Sequence, residues 1–352
     1  MHRCLQLAKL GLGNVAPNPM VGAVLVYNDS IIGEGYHRQY GEAHAEVNCI
    51  QSVKKEDEHL IPQSRLYVSL EPCAHYGKTP PCADLIIHHH IPEVIIGCRD
   101  PFAQVDGKGI DKLKAAGVHV VLHVLEQECK QLNKRFFIFH TKHRPCIILK
   151  WAQSTDGFIA ANGKERVYIS NDYTNRLVHR WRSEEAGILV GTNTALLDNP
   201  QLTARLWEGK SPVRLVVDMD LKLPGHLALF DTSAPTIVFN TKLNTIASFD
   251  ENIFTENKTG YYQVTEDVSI VHQIVHALYQ LRLQSVIVEG GAKLLQSFID
   301  EGMWDEARII RNATLTIHRG IKAPSLTDAI QFASEKIDTD EIDYYSNSSS
   351  AL

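Results

Sequence analysis

Arg65-Leu66-Tyr67-Val68-Ser69-Leu70 runs straight into Glu71-Pro72-Cys73-Ala74-His75-Tyr76-Gly77-Lys78-Thr79-Pro80-Pro81-Cys82, and this stretch decides how the first half of the chain reads. The opening six residues form an apolar, β-favouring run and predict a strand. Two prolines close the loop, and Cys82–His89 follows with a helical pattern. Upstream, His44-Ala45-Glu46 stands where another helix begins. One imidazole and two thiolates suit Zn²⁺, and three protein ligands leave the fourth tetrahedral position to water, as in catalytic zinc sites. Zinc lowers the pKa of such a water to about 7. Glu46, two residues past His44, can stand beside the metal without ligating it and carry protons to a leaving amine. His-x-Glu followed by Pro-Cys and a second Cys is the order of the zinc deaminases, with eight residues rather than two between the cysteines. A closed structural site would need a fourth ligand, for which Cys49, Cys98 and His75 are the candidates.

Outward from this stretch, strand and helix signals alternate. Val21–Tyr27 and Ile31–Tyr36 read as strands joined by the turn residues Asn28-Asp29-Ser30, a hairpin signature. Val94–Gly97 and Val118–Val121 read as strands, Gly109–Ala116 as a helix, and Leu125–Phe136 as one closing helix. A mixed sheet covered by helices is expected. The polar, proline-ended segment His140–Pro145 predicts a boundary, giving domains 1–143 and 144–352. The second half alternates again. Cys146–Lys150, Gly187–Val190, Val213–Val217, Thr236–Phe239, Ser285–Val288 and Ala307–Ile310 read as strands. Asp172–Arg182, Ile270–Leu281 and Ala292–Ile299 read as helices. Val288-Glu289-Gly290-Gly291-Ala292 is a strand, a Gly-Gly turn and a helix start, where free N–H groups bind phosphate. Beyond Arg311 no element is placed.

Composition narrows the function classes. The 352 residues suggest two domains. With 35 basic and 41 acidic residues the net charge is −6, without the basic surface of a general nucleic-acid binder. The charge-free stretch Leu10–Asn28 holds Asn14, Pro17, Asn18 and Pro19, so it predicts no spanning helix. Seven cysteines in 352 residues are no disulfide scaffold. The expectation is a cytoplasmic protein with small-molecule partners and neither nucleic acid nor membrane. A homo-oligomer is compatible, and the oligomeric state stays open here.

The spacer ending in Gly77-Lys78-Thr79-Pro80-Pro81-Cys82 resembles that of the bacterial bifunctional riboflavin-biosynthesis deaminase–reductases. Pro17-Asn18-Pro19-Met20-Val21-Gly22, Gly35-Tyr36-His37, Gly41-Glu42-Ala43-His44-Ala45-Glu46, Arg99-Asp100-Pro101 and Val105-Asp106-Gly107-Lys108-Gly109 share the likeness. It departs at Phe102-Ala103, where that family usually has Asn-Pro. In the second half, Lys150-Trp151-Ala152-Gln153-Ser154-Thr155-Asp156-Gly157, Ile188–Thr194 and Leu197–Arg205 carry it, with Val288-Glu289-Gly290-Gly291.

The resemblance implies an α/β fold in two parts, a cytidine-deaminase-like mixed sheet with helices and then a dihydrofolate-reductase-like α/β domain. It implies His44, Cys73 and Cys82 on zinc and Glu46 as proton carrier, with Asn18, His37, Lys78 and Asp100 in the deaminase substrate pocket. NADPH would lie along Ala152, Tyr168, Thr194, Asp198 and the run Gly291, Ala292, Lys293, Leu294, Leu295, Gln296, Ser297. Lys150, Arg166, Arg182, Leu202, Arg205 and Glu289 would face the second substrate, whose phosphate suits guanidinium groups. The implied reactions are deamination of a phosphoribosylamino-pyrimidinone, then reduction of its ribosyl side chain to ribityl. Two rivals are a nucleoside or polynucleotide deaminase with a non-catalytic second domain, and a zinc-stabilised binding module without catalysis.

Overall fold

The computed structural model describes residues 1–76, 80–102, 105–162, 167–246 and 251–349. It divides into two compact units, Met1–His143 and Arg144–Ala351.

In the first unit the chain runs α1 (His2–Ala8), β1 (Gly22–Tyr27), β2 (Ser30–Tyr36), α2 (Ala45–Gln51), β3 (Arg65–Leu70), α3 (Cys82–His88), β4 (Glu93–Cys98), α4 (Lys108–Ala115), β5 (His119–Val121), α5 (Glu126–Leu132) and α6 (Lys134–Lys142). The sheet order is β2-β1-β3-β4-β5. β1 pairs antiparallel with β2 and β3, whereas β3, β4 and β5 are parallel. Asn28 and Asp29 turn the β1–β2 hairpin with φ of 44° and 61°, a conformation these two residue types tolerate. Alternation along the strands sorts the two faces. Ala23, Leu25, Leu66, Val68, Val94 and Ile96 pack with Ile50, Ile86 and Leu113 from α2, α3 and α4. Val24 turns the other way, toward Cys4 and Leu7 of α1.

The expected single closing helix is two. Asn133 breaks it, because its side-chain amide is engaged with Met20: Oδ1 accepts the Met20 N–H and Nδ2 donates to the Met20 carbonyl, both at 2.8 Å. The helix that follows continues through Lys142, so half of the polar segment 140–145 is helical, and His143 ends it in the left-handed region at φ 51°.

The second unit comprises β6 (Cys146–Gln153), β7 (Phe158–Ala161), α7 (Asp172–Glu184), β8 (Gly187–Gly191), α8 (Thr192–Asp198), β9 (Val213–Val217), β10 (Thr236–Asn240), α9 (Glu251–Thr255), β11 (Thr259–Gln263), α10 (Ile270–Gln280), β12 (Ser285–Val288), α11 (Ala292–Asp300), β13 (Glu306–Asn312), β14 (Gly320–Lys322), β15 (Ala329–Ile337) and β16 (Asp340–Asn347). Its large sheet has the order β11-β10-β9-β8-β12-β6-β13-β16-β15. The strands from β11 to β13 are parallel, and β16 and β15 add antiparallel. Ile147, Leu149, Leu189, Leu215, Val286 and Val288 sit in one core with Leu278, Leu295 and Phe298. Near-continuous apolar strands are what helix-covered parallel sheets require.

The unplaced tail holds β14, which pairs with β7, and then the β15–β16 hairpin, turned at Asp338 with φ 54°. The buried Asp305 fastens the start of this unit: it accepts from Arg144 at 2.6 and 2.7 Å and from the Ile147 N–H at 2.8 Å.

Candidate active sites

In the first unit, helix starts bring the predicted ligands together. His44 is the N-cap of α2, Cys82 is the first residue of α3, and Cys73 follows β3 on the connecting loop. His44 Nδ1 lies 3.6 Å from Cys73 Sγ and 3.4 Å from Cys82 Sγ. The three ligating atoms fall within 4.8 Å of one another. Cys73 Sγ also accepts the Cys82 N–H at 3.3 Å. The hydrogen bond from the Cys82 thiol, with help from His44 and against burial, holds the Cys73 thiol down to about 4. A thiolate, a thiol and an imidazole this close form a donor set that fits zinc.

Among the described residues this is the one such group. Cys49 belongs to the core beneath α2, Cys98 to the packing around Phe136, and the His75 ring stands edge-on to Phe102. None of the three supplies the fourth ligand that a closed site would need.

Glu46 lies in the first turn of α2, 3% exposed and outside the ligand group. Burial raises its pKa against the opposing pull of His44. His37 stands edge-on to His44 with ring centroids 5.4 Å apart. Its Nδ1 faces the Ala43 carbonyl at 3.1 Å and must carry the hydrogen, so Nε2 accepts from Asn18 Nδ2, also at 3.1 Å. Burial lowers its pKa. Asp100 is buried and accepts the Phe102 N–H at 2.8 Å, and burial pushes its carboxyl up to about 7. Lys78 and Ala103 lie outside the described residues.

In the second unit Lys150 on β6, Thr194 after β8, and Glu289 and Gly291 after β12 lie toward the carboxyl ends of neighbouring strands, where the strand order changes direction. That is the usual ligand crevice of an open α/β sheet. Glu289, at the end of β12, accepts from Arg182 Nε at 2.8 Å and Nη2 at 2.7 Å, and from Lys150 Nζ at 3.4 Å. Burial pushes the Glu289 carboxyl up, but Arg182 and then Lys150 outweigh it and hold it at about 2. Burial lowers the Lys150 pKa while Glu289 opposes. Arg182 Nη1 also donates to the Thr203 carbonyl at 3.2 Å, fixing the segment between Leu202 and Arg205.

The β12–α11 turn fits a dinucleotide phosphate. Thr194 Oγ1 accepts the Gly291 N–H at 2.9 Å, and a Cβ on Gly290 would lie 2.8 Å from the Thr194 side chain. No side chain caps α11, and its first intrahelical bond runs from Leu295 N–H to Gly291 O. The N–H groups of Ala292, Lys293 and Leu294 therefore precede the helical ladder. Leu295 itself turns into the core. Gln296 and Ser297 are half-buried, and Ala152 is half-buried on β6. Asp198 and Tyr168 are exposed, Leu202 is buried with φ 55°, and Arg205 is exposed. Arg166 lies outside the described residues.

Two buried groups are absent from the predicted set. His179 faces Arg182 and Arg205; burial, then these charges, lower its pKa to about 4. Glu71 is 4% exposed and receives four backbone N–H groups. The sequence marks it only as the residue before Pro72.

Fold and sites thus define a zinc deaminase unit followed by a nucleotide-binding reductase unit. The family described as the cytidine and deoxycytidylate deaminase zinc-binding region matches residues 1–98, and the RibD C-terminal domain matches residues 145–345. The riboflavin biosynthesis protein RibD of Aquifex aeolicus is 38% identical over 87% of this chain and 83% of its own. That of Bacillus amyloliquefaciens is 38% identical over 96% and 89%. A crystal structure of the diaminohydroxyphosphoribosylaminopyrimidine deaminase/5-amino-6-(5-phosphoribosylamino)uracil reductase from Thermotoga maritima is similar with a TM-score of 0.86 and 36% identity, covering 99% of this chain and 97% of that one.

The chain belongs to the RibD family of riboflavin biosynthesis proteins. It is a bifunctional enzyme, a deaminase and a reductase acting on small pyrimidine substrates, with zinc and NADPH as cofactors. This favours the deaminase–reductase reading over a nucleoside or polynucleotide deaminase with a non-catalytic second domain and over a zinc-stabilised module without catalysis. Among the described residues no helix is long and apolar enough to cross a membrane.

Proposed function

We propose that residues 1–143 deaminate 2,5-diamino-6-(5-phosphoribosylamino)pyrimidin-4-one and that residues 144–352 reduce the ribosyl side chain of the product to ribityl. The observation that carries the reading is the convergence of His44, Cys73 and Cys82 within 4.8 Å beside a buried, non-ligating Glu46. His44, Cys73 and Cys82 would hold zinc, which supplies the Lewis acidity that makes water a nucleophile at neutral pH. Glu46 takes the proton of the attacking water and returns it to the departing amine, so that water enters and ammonia leaves. Its raised pKa suits a group that must hold and release a proton in one cycle. His37 with Asn18 and buried Asp100 would orient the pyrimidinone, with Lys78 assigned to the same task by the resemblance alone.

In the second unit, Thr194, Asp198, Ala152, Tyr168 and the Gly291–Ser297 segment would hold NADPH, which supplies the hydride. Lys150, whose Nζ lies 3.4 Å from Glu289, would face the opened ribosyl chain and donate a hydrogen bond to it. Arg182, Arg205 and Arg166 answer the substrate phosphate, with Leu202 lining the wall. Glu289 opposes the loss of charge that burial imposes on Lys150 and fixes Arg182 through two hydrogen bonds.

Small phosphorylated ligands, free thiols and a negative net charge support a cytoplasmic enzyme that acts on free metabolites rather than on nucleic acid or membrane. The test is an assay of both steps with the pyrimidinone, with and without NADPH, on protein purified without added metal. Ammonia release without NADPH, ribityl product only with it, and about one zinc per chain are expected. Full deamination by zinc-free protein would overturn the metal assignment.

A further inference from the structure

The deaminase site stands on two chain segments far apart in sequence, the Cys73 loop and the Asp100 loop. One side chain joins them. Glu71 Oε1 accepts the N–H groups of Gly109 at 3.0 Å and Ile110 at 3.2 Å. Its Oε2 accepts those of Gly107 at 3.0 Å and Asp100 at 3.3 Å. Gly107 is the N-cap of α4 and offers no side chain for that task. Glu71 therefore caps α4 from 36 residues away, giving acceptors to N–H groups that a helix start leaves unpaired.

The fit is close. A Cβ on Gly109 would lie 1.9 Å from the Pro72 carbonyl oxygen, so the backbone next to Cys73 rests directly on α4. Cys73 is thus tied to α4 twice, by the Glu71 carboxylate and by the glycine contact. Asp100 hangs from the same carboxylate through its own N–H. The Glu71 carboxylate itself is outside the ligand group, and both of its oxygens are engaged by the four backbone N–H groups.

We propose that Glu71 is a positioning residue that locks the zinc-bearing Cys73 loop and the substrate-facing Asp100 loop into one register through the start of α4. The proposal rests on the deaminase reading above. Glu71→Gln keeps the shape but places an amide NH₂ against N–H donors, so one of the two arms must let go. Glu71→Asp keeps the acceptors but shortens their reach. Gly109→Ala separates the segments without altering Glu71.

The experiment uses the full chain loaded with zinc. Zinc release to an excess of chelator is timed, and deaminase kcat and KM are measured separately. Reduction of supplied deaminated substrate serves as the control for folding. Glu71→Gln should release zinc about 10-fold faster or more, in the range that outer-shell changes usually produce. It should raise the deaminase KM about 10-fold, with kcat at saturating zinc within about threefold because Glu46 is untouched, as no proton-transfer group is lost. Glu71→Asp should restore part of both losses, and Gly109→Ala should reproduce them. Zinc release and KM within twofold of the parent in a folded Glu71→Gln protein would overturn the proposal, as would a loss in kcat alone. If Glu71→Gln does not fold, Glu71→Asp and Gly109→Ala decide by the same readouts. Zinc release needs no substrate, so it decides the role of Glu71 even where the parent protein fails to deaminate the pyrimidinone.

Discussion

The two sites solve the problem of burying polar groups in opposite ways. In the first unit, a thiolate, a thiol and an imidazole crowd together, and the group they fit is a cation from solution. In the second, the one Glu289 carboxylate meets both Lys150 and Arg182, so the chain supplies its own counter-charge and keeps one positive charge in excess. The comparison teaches that the deaminase site depends on a ligand for its electrostatic balance, whereas the reductase crevice holds its own counter-charge and keeps a positive excess that suits an anionic ligand. Removing one partner of a buried ion network leaves the others uncompensated, so the two sites should fail differently.

The largest expected effect separates the chemistry. Glu46→Gln should lower deamination by roughly 10²–10⁴-fold, the usual worth of a placed proton-transfer group. Zinc content and reduction of supplied deaminated substrate should stay as in the parent. Loss of both activities in folded, zinc-loaded protein would show that the sites are not independent.

Next comes Glu289→Gln, which strands two buried cations. The second unit should lose about 3–5 kcal/mol, read by urea denaturation, and reduction should vanish while deamination survives. Asp198→Ala, at an exposed position, should impair reduction without that loss of stability.

The acid limb sharpens the same contrast. The Glu289 carboxyl sits at about 2 when folded and at its ordinary 4.5 when exposed. Its stabilisation is therefore complete above 4.5 and fades as pH falls toward 2. Urea midpoints measured down this range should fall more in the parent than in Glu289→Gln; parallel curves would remove Glu289 as the cause.

The smallest effect concerns α7, which carries Arg182. Asn171 caps it by accepting the Thr174 N–H at 2.9 Å and also donates to the Ile337 carbonyl at 2.8 Å. Asn171→Ala should cost about 1–2 kcal/mol in the second unit alone, seen as a lower thermal midpoint with kcat of deamination unchanged.

What is legible in the sequence follows the range of the interactions. Arg65–Leu70, Val213–Val217 and Ser285–Val288 read as strands with the bounds observed, because turn residues or polar breaks flank apolar runs. The zinc ligands are legible because His-x-Glu and the two Pro-Cys pairs are local patterns. Lys150, Arg182 and Glu289 come only from the resemblance, since Glu289 stands 139 and 107 positions from its partners. Asn133 leaves no helix-breaking signal of its own, because what it engages is Met20, 113 residues back. The tail after Arg311 is obscure for a related reason. β15 is mostly exposed and has a place only once β16 has paired with β13. Glu71 escapes notice because its partners are backbone groups, which carry no residue type.

The contact at Gly109 has a consequence for how freely this protein can vary. Position 109 sits among the first residues of an ordinary surface-facing helix, and helical glycines are usually replaceable at a gain in stability. Here every side chain, whatever its chemistry, begins with a carbon that the Pro72 carbonyl already excludes. A saturation library scored for deamination should therefore find position 109 as intolerant as the three metal ligands. Gly117, where an added Cβ meets nothing within 4 Å, should accept Asn or Asp, the types that tolerate its φ of 83°.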